Sequence, residues 1–263
     1  MTAWKTRCWK VCKPHNDPLD HMKFRRQKAL LARFGRFVSP RLIHYASGQL
    51  NYLNVGRWFH DRKLSVPVRC DDREPLYNHI ATLVQEPVSY LEFGVFKGST
   101  LRHWSGLLKH QGSLLHGFDS FEGLPEIWGY FVDKATLDVG GVMPKFEDPR
   151  VQLFKGWFNE TLPPYLREFK PNPVLILHLD ADVYSSTIFV LRELKPFLRP
   201  GTVLIFDEFF DREHELKAFS EFLQEFPMTI ECVGATKALT QAAFRIKALP
   251  TGTPGPSKAT LPS

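Results

Sequence analysis

At 263 residues with 43% apolar side chains, the chain suits one sizeable globular domain with appendages, and no apolar run reaches the roughly 18 residues of a membrane span. Behind Trp4, Lys5, Arg7 and Lys10 there is no apolar core of a secretory signal, and Cys8, Cys12, Cys70 and Cys232 are too scattered for a disulfide scaffold or a paired metal-ligand set, so a cytoplasmic, reducing setting is expected. The net charge of +6 is uneven: residues 1–41 hold eleven Lys or Arg and two Asp, a net of +9, which leaves −3 for the rest.

In chain order, residues 1–20, with Pro14 and Pro18, read as poorly ordered. Helical patterns follow at 22–38, 43–51 and 73–85, and together these form a basic extension, 1–85. The basic run is first of all a solvated helix, with nucleic acid, anionic lipid or an acidic partner as the functional alternatives. From Val88 strands and helices alternate. Strands are expected at 88–93, 113–118, 150–155, 174–179, 202–206, 228–233 and 241–247, with helices at 100–109, 160–169, 185–197 and 212–225. The fold class is therefore α/β: a Rossmann-like, mostly parallel seven-stranded sheet with helices on both faces, over residues 86–248. The short connection through Gly234 and Thr236 makes the last strand antiparallel. Residues 120–149, with Trp128, Tyr130, Phe131 and the Gly140-Gly141 pair, read as a lid, and 249–263, with Pro250, Pro254, Pro256 and Pro262, as a disordered tail.

The first strand runs into LEFGVFKGST, residues 91–100. Gly94 and Gly98 bracket a turn that opens a helix, the arrangement of a nucleotide-type site. Glu92 just before the turn disfavours a phosphate and favours a cationic, hydroxyl-rich ligand; S-adenosylmethionine is both. The second strand ends in Asp119, placed to accept from ribose hydroxyls. The glycine spacing is not that of a dinucleotide fingerprint.

Two later strands also end in carboxylates. LHLDADVYSST gives Asp180 and Asp182; GTVLIFDEFF gives Asp207 and Glu208. A parallel sheet brings these strand ends to one edge. Asp180, Asp207 and Glu208 would repel one another there, so a hard cation such as magnesium is expected between them. Helix capping is the competing role, with Asp182 and Asp211 as candidate N-caps. His214 is the candidate general base, against a surface histidine between Glu213 and Glu215. His178, inside an apolar strand, reads as a core histidine, and Trp157 and Phe158 as either stacking or packing residues.

LEFGVFKGST, GFDSFEGLPE, KGWFNETLP, LHLDADVYSST and GTVLIFDEFF, in this order, resemble the class I methyltransferases of the macrocin O-methyltransferase (TylF/MycF-like) family, over about half the chain. The resemblance implies S-adenosylmethionine as methyl donor, a magnesium ion and a small hydroxyl acceptor, often on a sugar. It implies that Glu92, Gly94, Gly98 and Ser99 belong to the donor loop, that Asp119 binds the ribose, and that Ser120, Phe121 and Gly123 lie on the adenosine side. It places Asp180, Asp207 and Glu208 at the metal and Asp180 in catalysis; Asp207-Glu208 stands where the family more often has Asp-Asp. Self-association is common in the family, and the oligomeric state is left open. Nucleic acid is the weaker partner, since the main domain is acidic. A nucleic-acid methyltransferase and a non-catalytic donor-binding scaffold are the rival readings.

Overall fold

The structure is a computed structural model that describes residues 24–126 and 137–250, apart from the side chain of His44. The expectations for residues 1–20, for Trp128, Tyr130 and Phe131, and for the tail beyond Pro250 fall outside it. The chain divides into two compact units, 1–47 and 48–263. The first contains α1 (Arg25–Gly35) and the start of α2 (Pro40–Asp61). Among the described residues no helix is long and apolar enough to cross a membrane.

The second unit is an eight-stranded sheet. Its strands are β1 (Arg69–Cys70), β2 (Val88–Phe93), β3 (Leu114–Asp119), β4 (Val151–Lys155), β5 (Val174–Leu179), β6 (Val203–Phe206), β7 (Thr229–Thr236) and β8 (Ala242–Ala248). They lie in the order β1-β7-β8-β6-β5-β2-β3-β4. Only β8 is antiparallel to its neighbours, β6 and β7. The expected seven strands are all present. The eighth, β1, is two residues long and exists because Arg69 and Cys70 pair with Ala235 and Thr236, a tertiary contact that no local pattern announces.

Every residue of β2 is buried, and in β5 all but Val174, as expected of central parallel strands covered on both faces. One face packs under α3 (Arg73–Thr82) and α4 (Ser99–Leu107), through Leu76, Tyr77, Ile80, Leu101 and Trp104. The other packs against α5 (Phe158–Glu168), α6 (Tyr184–Leu194), α7 (Glu215–Glu225) and the second half of α2. There Trp58, Phe206, Phe209, Phe219 and Phe244 interlock with ring centroids 4.7–6.3 Å apart, which is where much of the phenylalanine goes. α2 runs ten residues past the expected end at Asn51. Gly48, Asn51, Asn54 and Gly56 are weak helix formers, but Val55, Trp58 and Phe59 bury themselves in this core and hold the helix.

The strand order reverses between β2 and β5, which makes that junction the topological switch point, where an open α/β sheet binds its ligand.

Candidate functional site

Four successive strand ends meet at that edge. After β2, Gly94 N–H donates to the Phe118 carbonyl at 3.0 Å; after β3, the Asp119 carbonyl accepts from Gly156 N–H at 2.9 Å. After β5, Asp180 N–H donates to the Phe93 carbonyl at 2.9 Å; after β6, Asp207 N–H donates to the Leu179 carbonyl at 3.0 Å. These bonds finish the ladders and point the next side chains out of the sheet. A cavity of about 720 Å³ opens above them, lined among others by Gly94, Asp119, Ser120, Gly123, Trp157, Phe158, Asp180, Asp182, Asp207 and Glu208. That volume is in the range of a small-molecule site.

Gly94 has φ +99°, and a Cβ there would lie 1.8 Å from the Asp180 carbonyl oxygen. Only glycine lets the β2 turn and the β5 end touch. Asp119 organises the same turn. Its Oδ2 accepts from the N–H groups of Val95 and Phe96, and its Oδ1 from Phe121 N–H, each at 2.7 Å. Three of the four lone-pair sites of the carboxylate are thus taken, and the one left free is on Oδ1. Gly98 (φ +74°) is the N-cap of α4, and Ser99 is its first residue. Neither lines the cavity; Gly98 instead faces Phe146 and Pro144. Phe121 is fully buried and also stays off the wall, whereas the Ser120 hydroxyl bonds the Gly123 carbonyl at 3.0 Å and shapes the rim. Trp157 and Phe158 both line the cavity, and so do Leu124, Pro125 and Leu137 at the two described ends of the 120–149 segment.

Glu92 is not on the wall. It is buried, 1% exposed, and burial pushes its carboxyl up to about 8. Its Oε2 accepts from Tyr90 O–H at 2.6 Å, while Oε1 has no partner among the described residues. The Tyr90 oxygen lies 2.7 Å from His178 Nδ1, and His178 Nε2 lies 3.3 Å from Asp207 Oδ1. Tyr77 O–H, from α3, donates to the same Oδ1 at 2.6 Å. Strand register sets this line, since Glu92 pairs with His178 across β2 and β5. His178 is thus a core histidine by burial, but its ring joins two acidic sites. Arg73, at the first turn of α3, lines the cavity with Nη1 3.5 Å from Asp207 Oδ2. Arg73, Tyr77 and the polar role of His178 are what the sequence reading missed.

Asp180, Asp207 and Glu208 each present an oxygen within 4.8 Å of the others. Burial pushes the Asp180 carboxyl well up, with the Asp207 charge adding to it. Burial and Asp207 likewise raise Glu208 to about 9 and Asp182 to about 7. Burial alone would also raise Asp207, but the His178 ring, the Tyr77 hydroxyl and the Arg73 guanidinium hold it below its ordinary value. Behind them sits Glu215, fully buried, with Oε2 accepting the Glu208 N–H at 3.0 Å. Glu215 Oε1 and Glu208 Oε2 are buried with no partner among the described residues. Crowded carboxylates with orphaned oxygens and an all-oxygen donor set fit a hard divalent cation.

Three local expectations change. Asp182 does not cap α6: the N-cap is Val183, with no side-chain bond. Asp182 instead takes a left-handed backbone (φ +59°) on the cavity wall, a conformation aspartate tolerates better than most residues. His214 does not line the cavity. Its Nδ1 accepts the Tyr184 N–H, the first of α6, at 3.2 Å, so the ring caps that helix. Helix α7 starts at Glu215 rather than 212, and Asp211 bonds Glu213 N–H in the turn before it.

Residues 91–209 match the family model described as a methyltransferase domain. The segment begins in β2 and ends just past β6, so it contains all four strand ends. A curated relative, the 8-demethyl-8-(2,3-dimethoxy-alpha-L-rhamnosyl)-tetracenomycin-C 4'-O-methyltransferase of Streptomyces olivaceus, is 29% identical over 143 residues, covering 47% of this chain and 53% of the relative. Demethyldecarbamoylnovobiocin O-methyltransferase of Streptomyces niveus is 26% identical over 167 residues, 56% of this chain and 62% of the relative. The chain thus spans between half and two thirds of the length of these relatives. Among solved structures, CalS11, a calicheamicin methyltransferase, superposes with a TM-score of 0.48 at 20% identity, over 87% of this chain and 88% of that one.

Proposed function

We propose that this chain, whose residues 91–209 match the methyltransferase-domain model, is a class I enzyme that moves a methyl group from S-adenosylmethionine to a hydroxyl of a small, polyhydroxylated acceptor of natural-product type. The macrocin O-methyltransferase group is the subfamily we assign. One observation carries the reading: Gly94 and Asp119 share a single cavity with the oxygens of Asp180, Asp207 and Glu208. The O-methyltransferase names of both relatives support it.

In this reading the turn at Gly94 takes the methionine end of the donor, with Glu92 buried behind that turn and Gly98 and Ser99 holding it by opening the helix that follows. Asp119 accepts from a ribose hydroxyl with the one lone pair its backbone donors leave free, Ser120 and Gly123 line the adenosine side, and Phe121 packs behind them. Asp180, Asp207 and Glu208 hold magnesium, which when bound lowers the pKa of an acceptor hydroxyl and fixes its position. The side chains do the rest. Tyr77, His178 and Arg73 keep Asp207 ionised and oriented. The acceptor oxygen attacks the sulfonium methyl in line; the carbon–sulfur bond breaks and S-adenosylhomocysteine leaves. The hydroxyl proton passes to a carboxylate of the site, and Asp182, on the cavity wall, is the one we assign to take it. Donor and acceptor held at attack distance contribute further by proximity. The free thiols Cys70 and Cys232 suit the reducing, cytoplasmic setting we assign.

The test is calorimetric titration with S-adenosylmethionine in magnesium and in EDTA, followed by a screen of glycosylated hydroxyl acceptors for transfer of a labelled methyl group. Donor binding in both buffers, with transfer only in magnesium, is the expected result. Absence of donor binding in either buffer sinks the reading.

A further inference from the structure

Helix α1 carries a surface the methyl-transfer site does not use. Residues 24–41 hold Arg25, Arg26, Lys28, Arg33, Arg36 and Arg41 and no Asp or Glu. At 3.6 residues per turn, Leu30, Leu31 and Phe34 share one side of α1, and Arg25, Lys28 and Arg33 share the other. None of the helix is buried. Leu30 is 52% exposed, Leu31 71%, Phe34 62% and the adjoining Phe37 72%. Single exposed leucines are ordinary; a contiguous apolar strip of this kind marks a surface that meets something.

Charge and apolarity together select the occupant. A nucleic acid would take the arginines and leave Leu30, Leu31 and Phe34 in water. A second copy would cover the leucines but bring the same +9 of residues 1–41. An anionic bilayer surface takes both sides at once: apolar side chains enter the headgroup–acyl boundary while guanidinium groups meet lipid phosphates. With eleven residues, α1 can lie in that plane and is too short to cross it. We infer that α1 is an interfacial anchor that lays the chain on an anionic lipid surface. The inference rests on α1 alone and is independent of the methyl-transfer reading.

Flotation of the full chain with phosphatidylcholine vesicles, with and without phosphatidylserine, tests it. Binding is expected only with phosphatidylserine and should weaken with salt. The double variant Leu30→Asp and Phe34→Asp, and separately Arg26→Glu and Arg33→Glu, should each lower partitioning by about tenfold or more, with an unchanged circular-dichroism melt. No binding to either vesicle overturns the anchor. So does full binding by the leucine–phenylalanine variant, which would leave charge alone. Tighter capture of duplex RNA than of phosphatidylserine vesicles, or a dimer at working concentration that the same variant dissolves, also overturns it, in favour of nucleic acid or of a second copy.

Discussion

The two sides of the switch point handle their acids in opposite ways. On the β2–β3 side the carboxylate on the cavity wall, Asp119, is satisfied three times over by its own backbone; Glu92, off the wall, has Oε2 on Tyr90 and Oε1 without a partner among the described residues. On the β5–β6 side Asp180, Asp182, Glu208 and Glu215 crowd one another, and two of their oxygens have no partner among the described residues. A site whose donors and acceptors already match is ordered before any ligand arrives. A site whose crowded carboxylates leave oxygens without partners is incomplete, and the magnesium proposed above would complete it by taking the place of their protons. The first arrangement suits recognition of a ligand, the second suits chemistry.

The largest expected effect breaks the second side alone. Asp180→Ala should lower methyl transfer by at least about a thousandfold, some 4 kcal/mol of transition-state stabilisation, while calorimetry finds donor affinity within about threefold of the parent. Equal loss of both would mean that the sides are not separable. Gly94→Ala attacks their contact instead. Its Cβ cannot coexist with the Asp180 carbonyl, so donor binding and catalysis should fall together by about a hundredfold, with a lowered melting temperature. A variant that binds normally would refute the close approach. Tyr77→Phe takes one donor from Asp207 and should weaken magnesium affinity on the order of tenfold, readable as a shift in the magnesium dependence of the rate at unchanged donor affinity.

The smallest effects concern stability, and one is of opposite sign. Glu215→Gln keeps an acceptor for the Glu208 N–H and is neutral without taking up a proton, whereas burial makes the glutamate hold one well above its ordinary range, so in EDTA near neutral pH it should stabilise the chain by about 1 kcal/mol. The raised groups set the pH dependence. Folded, Asp182, Glu92 and Glu208 hold their protons up to about 7, 8 and 9, against ordinary values of 3.8, 4.5 and 4.5. Between those limits the folded chain binds more protons than the unfolded one. Their contribution is therefore fully present below about pH 4 and is lost as pH rises through the folded values. Magnesium should restore stability on the β5–β6 side, so its stabilising effect in a thermal melt should be larger at about pH 8.5 than at about pH 6. An equal gain at both would argue that the carboxylates are already ionised.

The sequence announces these two sides unequally. β2 and β5 are uninterrupted apolar runs closed by carboxylates, so strand, direction and edge are all legible in their residues. Asp180, Asp207 and Glu208 come together because strand order alone requires it. Tyr77 and His178 are hidden because their spacing is that of core residues; only the polar atoms at their tips, meeting Asp207 from two elements far apart in the chain, distinguish them. Arg73 reads as an ordinary first-turn residue of a helix. His214 is the reverse case: a histidine shortly after a strand end suggests a base, but its ring is placed on the N–H of Tyr184, which no sequence spacing discloses. β1 and the second half of α2 exist through burial and pairing rather than through propensity.

The place of β8 bears on how the protein is made. Ala242–Ala248 lies between β6 and β7 and pairs with both. During synthesis β6, with Asp207 and Glu208 at its tip, emerges some thirty-five residues before the strand that covers its edge. In that interval it offers an open row of backbone groups and apolar side chains to any other nascent chain. A ribosome stalled short of Ala242 would therefore release a polypeptide with most of its motifs present and its sheet unsealed, a natural client for chaperones.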